Sequence, residues 1–102
     1  MVTRGSVHWV DLATGRRPGL IMTRAAAIPL LTRVLIVPAT RTVREIPSEV
    51  QLDEEDGMPA TCALSFDNVV AVERSRIGDL ITTLGPVKMA QVCAAWHLVA
   101  DC

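Results

Sequence analysis

Short apolar runs, each ended by glycine, proline or a charged turn, limit the fold of this chain more than any other feature of its sequence. Runs of this length that are rich in β-branched residues favour strands over helices. The most strand-like of them is Arg33–Val37, and Glu49–Leu52 alternates polar and apolar residues as a half-buried strand does. We therefore predict a sheet of short strands, at residues 7–12, 19–23, 33–37, 49–52, 62–66, 69–72 and 80–84.

Two segments depart from this pattern and favour helix. Residues 25–31 are helix-prone but contain Pro29, which limits them to a turn or two. Gly85-Pro86 opens a longer helix, because proline at the first helical position gives up no hydrogen bond. Apolar residues then recur at helical spacing at Met89, Val92, Cys93, Trp96, Val99 and Ala100. A chain of 102 residues is long enough for one core, so we predict a single barrel-like α+β domain over residues 1–102.

Several classes of protein are disfavoured by composition. The longest stretch without Lys, Arg, Asp or Glu, residues 89–100, is shorter than the ~18 residues that a membrane span needs. Charged residues near the N-terminus argue against a secretory signal. The acidic run 53–57 lacks the alternating spacing of a calcium loop and predicts an exposed turn. Three widely spaced cysteines favour reduced thiols over disulfides or zinc, so we expect a cytoplasmic protein; they are Cys62, Cys93 and Cys102.

The charges are segregated along the chain although the net charge is only −1. Residues 1–44 carry seven Arg and one Asp, whereas residues 45–102 carry three cations and ten carboxylates. Nine of the ten cations are Arg, whose planar guanidinium binds phosphate with two parallel hydrogen bonds. This asymmetry is compatible with a local anion-binding patch and with a mutually neutralising surface.

Four blocks of sequence stand in order along the chain, at residues 4–12, 16–23 and 37–50 and from Cys62 onwards. Together they resemble the MazF/PemK family of toxin endoribonucleases. The family's opening R-G-D-x-x-W-V-D-L is similar to residues 4–12, its R-R-P-V-L-V-V-S to residues 16–23, and its V-P-x-T…I-P-x-E-V to residues 37–50. The fourth block begins at Cys62 and includes Asp67-Asn68 and Ser75-Arg76, with the Gly85-Pro86 helix beyond it. Two features depart from the family pattern: Ser6 replaces its usual Asp, and only residues 13–15 join the first two strands.

The resemblance implies an SH3-like barrel of the MazF, PemK and CcdB type, with a short internal helix and a C-terminal helix. It implies a homodimer that cleaves single-stranded RNA at short sequence motifs without a metal or other cofactor, and a cognate MazE-like antitoxin that inhibits it. The family's catalytic arginine, which precedes a proline, corresponds to Arg17, and its catalytic threonine corresponds to Thr40.

These residue types fit RNA cleavage by the neighbouring 2′-hydroxyl, in which the protein mainly stabilises charge on the phosphorus centre. The Arg17 guanidinium suits that task, and the Thr40 hydroxyl can donate to a phosphate oxygen or to the leaving group. Candidate RNA-binding residues are Arg16, Arg41, Arg44 and Arg24, with Arg33 as a further one; each could equally be a solvated surface residue.

Several residues have two interpretations. Trp9 could stack on a base, although a tryptophan in the first strand of a small barrel more often lies in the core or a dimer interface. Trp96 is expected to pack, and Asp67-Asn68 to hold a turn through bonds to the backbone. His8 and His97 together could suggest acid–base catalysis of the pancreatic-ribonuclease kind, but His97 is equally placed to stabilise a helix end.

Two other functions fit the same barrel. A CcdB-like toxin would bind DNA gyrase and cleave nothing, and a degenerate family member would bind RNA or an antitoxin without turnover. Arg17-Pro18 and the V-P-A-T block ending in Thr40 are typical of the nuclease branch.

Overall fold

One antiparallel sheet of seven strands organises the computed structural model, which describes residues 2–100. In chain order the strands are β1 (Ser6–Leu12), β2 (Gly15–Ile21), β3 (Arg33–Thr40), β4 (Glu49–Leu52), β5 (Cys62–Ser65), β6 (Val70–Glu73) and β7 (Ile77–Thr83), followed by helix α1 (Pro86–Val99). Single-turn 3₁₀ helices occupy Ile28–Leu30, Glu54–Asp56, Phe66–Asn68 and Arg74–Arg76. The predicted short strands, short internal helix and C-terminal helix are confirmed.

Strand β3 lies at the centre of the sheet and has three partners. Strand β2 pairs along one side of it, while the first half of β3 pairs with β6 and its last residues, Ala39 and Thr40, pair with β5. The strand order is β4-β5-β3-β2-β1-β7, with β6 beside β3. Because β3 passes from one partner to another, the sheet curls into a half-barrel, as expected for the α+β class.

A tight hairpin joins β1 and β2 and changes the predicted start of the second strand. Leu12 pairs with Gly15 across the turn residues Ala13 and Thr14, and Gly15 has a φ of +120°, which favours glycine. Pairing then continues through Arg16 and Arg17 to Pro18. The prediction of a strand beginning only at Gly19 is wrong, because the hairpin aligns the whole of β1 with residues that local sequence assigned to a loop.

Two other strands are longer than predicted. Strand β3 continues past Pro38 to Thr40 because β2 and β5 pair with that end of it. Strand β7 begins at Ile77 instead of Leu80 because β1 extends alongside and Ile77 pairs with Val10. In both cases a neighbouring strand sets the length.

The acidic run after β4 is more structured than an exposed turn. Asp53 and Asp56 form a capping box around a 3₁₀ turn, and Gly57 ends it at a φ of +90°. Asp56 Oδ2 lies 3.7 Å from Lys88 Nζ of α1, and that ammonium also donates to the Gln51 carbonyl at 2.8 Å. These bonds join the run to the helix.

The apolar runs are continuous because the central strands are buried on both faces. Leu20 and Val37 belong to one buried cluster, while their neighbours Ile21 and Ile36 belong to a second. Helix α1 adds Val92 and Ala95 to the first cluster, with Met89 and Trp96 packed at its margin. Packing of Trp96 is therefore confirmed, whereas Val99 and Ala100 are exposed and do not continue the buried stripe.

The cysteines of the described residues are free: Cys62 is buried and Cys93 is half-buried, and Cys102 lies outside the described residues. No helix within residues 2–100 is long and apolar enough to cross a membrane.

Candidate active site

Arg17 and Thr40 come together where β2 and β3 emerge from the core. Gly19 and Pro38 form the last pair between β2 and β3, and Arg17 and Thr40 each lie two residues beyond it at the same end of the two antiparallel strands. Both residues line two adjoining grooves. The pair assigned from the family resemblance therefore shares one position in the fold.

The two grooves lie on either side of this pair. The first, which we call the Arg44 groove, has a volume of about 400 Å³ and runs between the β1–β2 turn and the residues Arg44, Ser65 and Asn68. The second, the Trp9 groove, has a volume of about 480 Å³; besides Arg17 and Thr40 it is lined by Trp9, Arg16, Arg41 and the loop 58–62.

The hydroxyl of Thr40 is oriented by its own loop. Thr40 Oγ1 accepts a hydrogen bond from the Thr42 backbone N–H at 3.2 Å. Among residues 2–100 no acceptor takes the hydroxyl proton, so that proton is available for a ligand in the groove. Arg17 is exposed and has no hydrogen-bond or ion-pair partner within the same residues, which leaves its guanidinium available too.

Arg44 is held by a buried carboxylate. Glu49 accepts from the Arg44 backbone N–H and from Arg44 Nε, each at 2.9 Å. The Glu49 side chain is 3% exposed whereas that of Arg44 is 52% exposed. The bond to Nε fixes one edge of the guanidinium, and Arg44 lines the Arg44 groove.

The other predicted RNA-binding arginines are divided between two surfaces. Arg16 and Arg41 line the Trp9 groove with Arg17. Arg24 does not join them, because it follows the far end of β2 and lies with Arg4 and Arg33 in a separate groove of about 570 Å³. No carboxylate and no imidazole within residues 2–100 lines either groove, and Arg16, Arg17 and Arg41 give the Trp9 groove an excess of positive charge.

The family model for PemK-like, MazF-like toxins of type II toxin–antitoxin systems matches residues 3–99 of this chain. The chain belongs to the MazF/PemK toxin family. It is 37% identical over 101 residues to the probable endoribonuclease MazF5 of Mycobacterium tuberculosis, covering 97% of this chain and 93% of that protein. The probable endoribonuclease MazF2 of the same organism is 30% identical over 100 residues, with 97% and 98% covered.

Solved structures of similar mycobacterial proteins have the same fold as this chain. M. tuberculosis toxin MazF-mt6 superposes with a TM-score of 0.88 at 30% identity, covering 94% of this chain and 96% of that one. A mycobacterial endoribonuclease in complex with its cognate antitoxin gives 0.85 at 26% identity, with 96% and 93% covered. These superpositions confirm the SH3-like barrel that the sequence resemblance implied.

Sequence reasoning missed two polar residues of the Arg44 groove in this MazF/PemK chain. Asn68 Nδ2 donates to Ser65 Oγ at 2.7 Å, and both residues line the groove. Asp67 accepts from Ser48 Oγ at 2.5 Å. The Asp67-Asn68 pair therefore holds its turn through side-chain partners and not, as expected, through the backbone. Asp67-Asn68 belongs to the fourth block of the family resemblance, and this could have drawn attention to the groove.

The two histidines do not meet at the grooves. His8 is buried in β1, with Nε2 3.0 Å from Ser6 Oγ and Nδ1 donating to the Gly78 carbonyl at 3.0 Å. Ser6, which stands where the family usually has Asp, donates to the Thr3 carbonyl at 2.6 Å. His97 is exposed in the last turn of α1, where a cation stabilises the helix end. A two-histidine mechanism has no geometric support.

Besides its arginines, the Trp9 groove contains the titratable residue Cys62. Burial raises the pKa of its thiol, and the nearby Asp56 carboxylate raises this pKa further. The thiol therefore stays protonated and neutral near pH 7, and it lacks the thiolate character of a nucleophile. The grooves supply positive charge and hydroxyl donors instead.

Proposed function

We propose that this chain is the toxin of a type II toxin–antitoxin system and acts as a sequence-specific, metal-independent endoribonuclease on single-stranded RNA. The observation that carries the proposal is that Arg17 and Thr40 line the same two grooves together with further arginines. The named endoribonucleases to which the chain is 30–37% identical support it. They favour RNA cleavage over the gyrase-binding alternative.

Arg17 and Thr40 each have a role in the proposed reaction. The 2′-hydroxyl of the substrate loses its proton to solvent and attacks the neighbouring phosphorus atom. Arg17 meets the negative charge that grows on the non-bridging oxygens, and Thr40 donates its hydroxyl hydrogen bond to a phosphate oxygen. The bond to the 5′ oxygen then breaks, and that oxygen takes a proton from water. The products are a 2′,3′-cyclic phosphate and a 5′-hydroxyl end.

The arginines replace the function that a divalent cation has in other nucleases. Metal sites for phosphoryl transfer are built on carboxylates, and the described residues of both grooves offer none. Guanidinium groups of Arg41 and Arg44 would bind the flanking phosphates through charge-assisted hydrogen bonds, and Arg16 would contact the RNA in the Trp9 groove. Arg24, in its separate groove, would contact only a longer RNA or another protein.

A homodimer and an antitoxin complete the proposal. Leu30, Leu31 and Leu35 are 82%, 44% and 38% exposed around the groove that also contains Trp96. Such an apolar surface fits a second copy of the chain. An acidic, disordered segment of a MazE-like antitoxin would occupy the arginine grooves and compete with RNA; a mycobacterial relative has been solved with its cognate antitoxin. A cytoplasmic location follows from the RNA substrate.

Incubation of the purified protein with a mixed-sequence single-stranded RNA and with its DNA copy, in excess EDTA, tests the proposal. Cleavage of RNA alone, with 2′,3′-cyclic phosphate and 5′-hydroxyl ends, is expected because DNA lacks the nucleophile. Arg17→Ala should abolish cleavage, whereas Arg74→Ala, on an exposed turn outside both grooves, should retain it. Absence of cleavage by the folded wild-type protein would contradict the proposal, and binding to gyrase would then be measured.

A further inference from the structure

Trp9 lies outside both buried clusters of the protein. It belongs to neither cluster and is not among the apolar side chains packed at their margins. It is half-buried on β1 and lines the Trp9 groove together with Arg17 and Thr40. The interpretation of Trp9 as a core residue is therefore wrong, whereas its place in a dimer interface stays a prediction; within the chain Trp9 lines the Trp9 groove.

Arg16 covers the Trp9 ring. Its guanidinium carbon lies 5.4 Å from the ring centroid, within the range of a cation–π contact. Trp9 pairs with Pro18, so Arg16 is the diagonal cross-strand neighbour on the same face of the sheet. Within residues 2–100 Arg16 has no hydrogen-bond or ion-pair partner, which leaves its outer plane free.

Gly78 of β7 leaves the space in which this pair lies. A Cβ atom at Gly78 would stand 3.2 Å from the Trp9 carbonyl oxygen, 3.7 Å from Arg16 Nη2 and 3.8 Å from the Trp9 Cβ. A side chain at this position would therefore lie directly against the Trp9–Arg16 pair. Three strands therefore combine to hold one planar cation over one aromatic ring.

The residues around the Trp9–Arg16 pair suit a ligand that has a neutral planar group next to an anionic group. Arg16 and Arg17 both line the Trp9 groove, and Arg17 also lines the adjoining Arg44 groove. Met58, Pro59 and the protonated Cys62 form the apolar side of the Trp9 groove. A nucleotide with its phosphate at Arg17 would have its base within this groove.

We propose that Trp9 and Arg16 form a stacking platform for the nucleobase adjacent to the scissile phosphate. Arg16 contacts the base through the outer plane of its guanidinium, and Trp9 is a positioning residue that holds this plane. Unpaired RNA bases stack on arginine and aromatic planes in this way. The inference rests on the proposed function for the identity of the ligand, but it concerns binding and can be tested without turnover.

The test measures tryptophan emission during titration with strands that cannot be cleaved. The chain has two Trp, so Trp96→Phe leaves Trp9 as the reporter, and Trp9→Phe is the matched control that reports Trp96 alone. One probe is a 2′-O-methyl single-stranded RNA of mixed sequence. The other is an abasic strand of the same length, which carries the phosphates without the bases.

The base-bearing strand should change the emission of the Trp96→Phe protein and leave that of the Trp9→Phe protein unchanged, and the abasic strand should change neither. Arg16→Lys keeps the charge and removes the plane, so it should weaken binding of the base-bearing strand about tenfold while the abasic strand binds as before. An equal effect of Arg16→Lys on both strands, or no response of Trp9, would overturn the platform.

The two proposals fail separately. If the platform responds as expected but the unmodified RNA is not cleaved, the nuclease function is refuted and the base subsite stands. If RNA is cleaved and Arg16→Lys does not distinguish the two probe strands, the nuclease stands and the platform is refuted. If Trp96→Phe does not fold, the difference in binding of the two strands by the Arg16→Lys protein, followed by fluorescence anisotropy of labelled strands, decides the same question.

Discussion

The hydroxyl of Thr40 offers the sharpest test of the site, because it can be removed with almost no change in shape. Thr40→Val replaces one oxygen by a methyl group on the last residue of β3, and valine is as favourable in a strand as threonine. Thr40→Ser keeps the hydroxyl and removes the methyl group. The two variants therefore separate the loss of the donor from the loss of packing.

The structure sets the expected magnitudes. The only hydrogen bond that Thr40→Val removes among the described residues is the exposed one from the Thr42 N–H, at 3.2 Å. Water can replace this acceptor, so the free energy of unfolding should fall by less than about 1 kcal/mol. Loss of one preorganised donor to the reacting phosphate should lower kcat by ~10²–10³-fold, equivalent to about 2.7–4 kcal/mol.

Single-turnover cleavage of a fluorescent RNA gives kcat, and urea unfolding gives stability for the same preparations. Thr40→Ser should retain most of the cleavage rate. The reasoning fails if Thr40→Val cleaves within about tenfold of the wild-type rate, or if Thr40→Ser is as slow as Thr40→Val, because the hydroxyl would then not be the group that matters.

Three further predictions concern the rest of the molecule. No carboxylate or imidazole of residues 2–100 lines the grooves, so the logarithm of the cleavage rate should rise steadily with pH; a bell-shaped profile between about pH 5 and 8 would reveal a general base that the structure does not show. Glu49→Gln should lower the free energy of unfolding by about 1–2 kcal/mol, since one bond from the half-exposed Arg44 is lost; no change on urea unfolding would contradict this. Leu30→Glu should convert a dimer into a folded monomer in sedimentation experiments, because it charges the 82%-exposed apolar surface, whereas a dimer that persists would place the interface elsewhere.

Local sequence was sufficient where a short signal decides the backbone. Gly85-Pro86 fixed the start of α1, and the alternation of Glu49–Leu52 gave β4 with its correct bounds. Arg17 and Thr40 were predicted as site residues through the resemblance, since each stands within a proline-containing family motif. These signals involve neighbours in the chain, so no knowledge of the packing was needed.

The tertiary structure decided which strands adjoin, and with that the length of the strands and the position of the remaining side chains. Pro18 and Pro38 lie inside strands because neighbouring strands pair with residues on both sides of them: β1 in the case of Pro18, and β2 and then β5 in the case of Pro38. Trp9 lines one groove and Arg24 lines a different one, and neither position follows from the residues beside it in the sequence.

The sequence by itself determined the α+β class, the family and the pair of residues expected to carry the reaction. Only the folded sheet decided which face each strand buries and which arginines share a groove. The physical reason is that burial and proximity depend on contacts between residues distant in sequence, whereas turns, caps and strand propensity are set by residues next to one another.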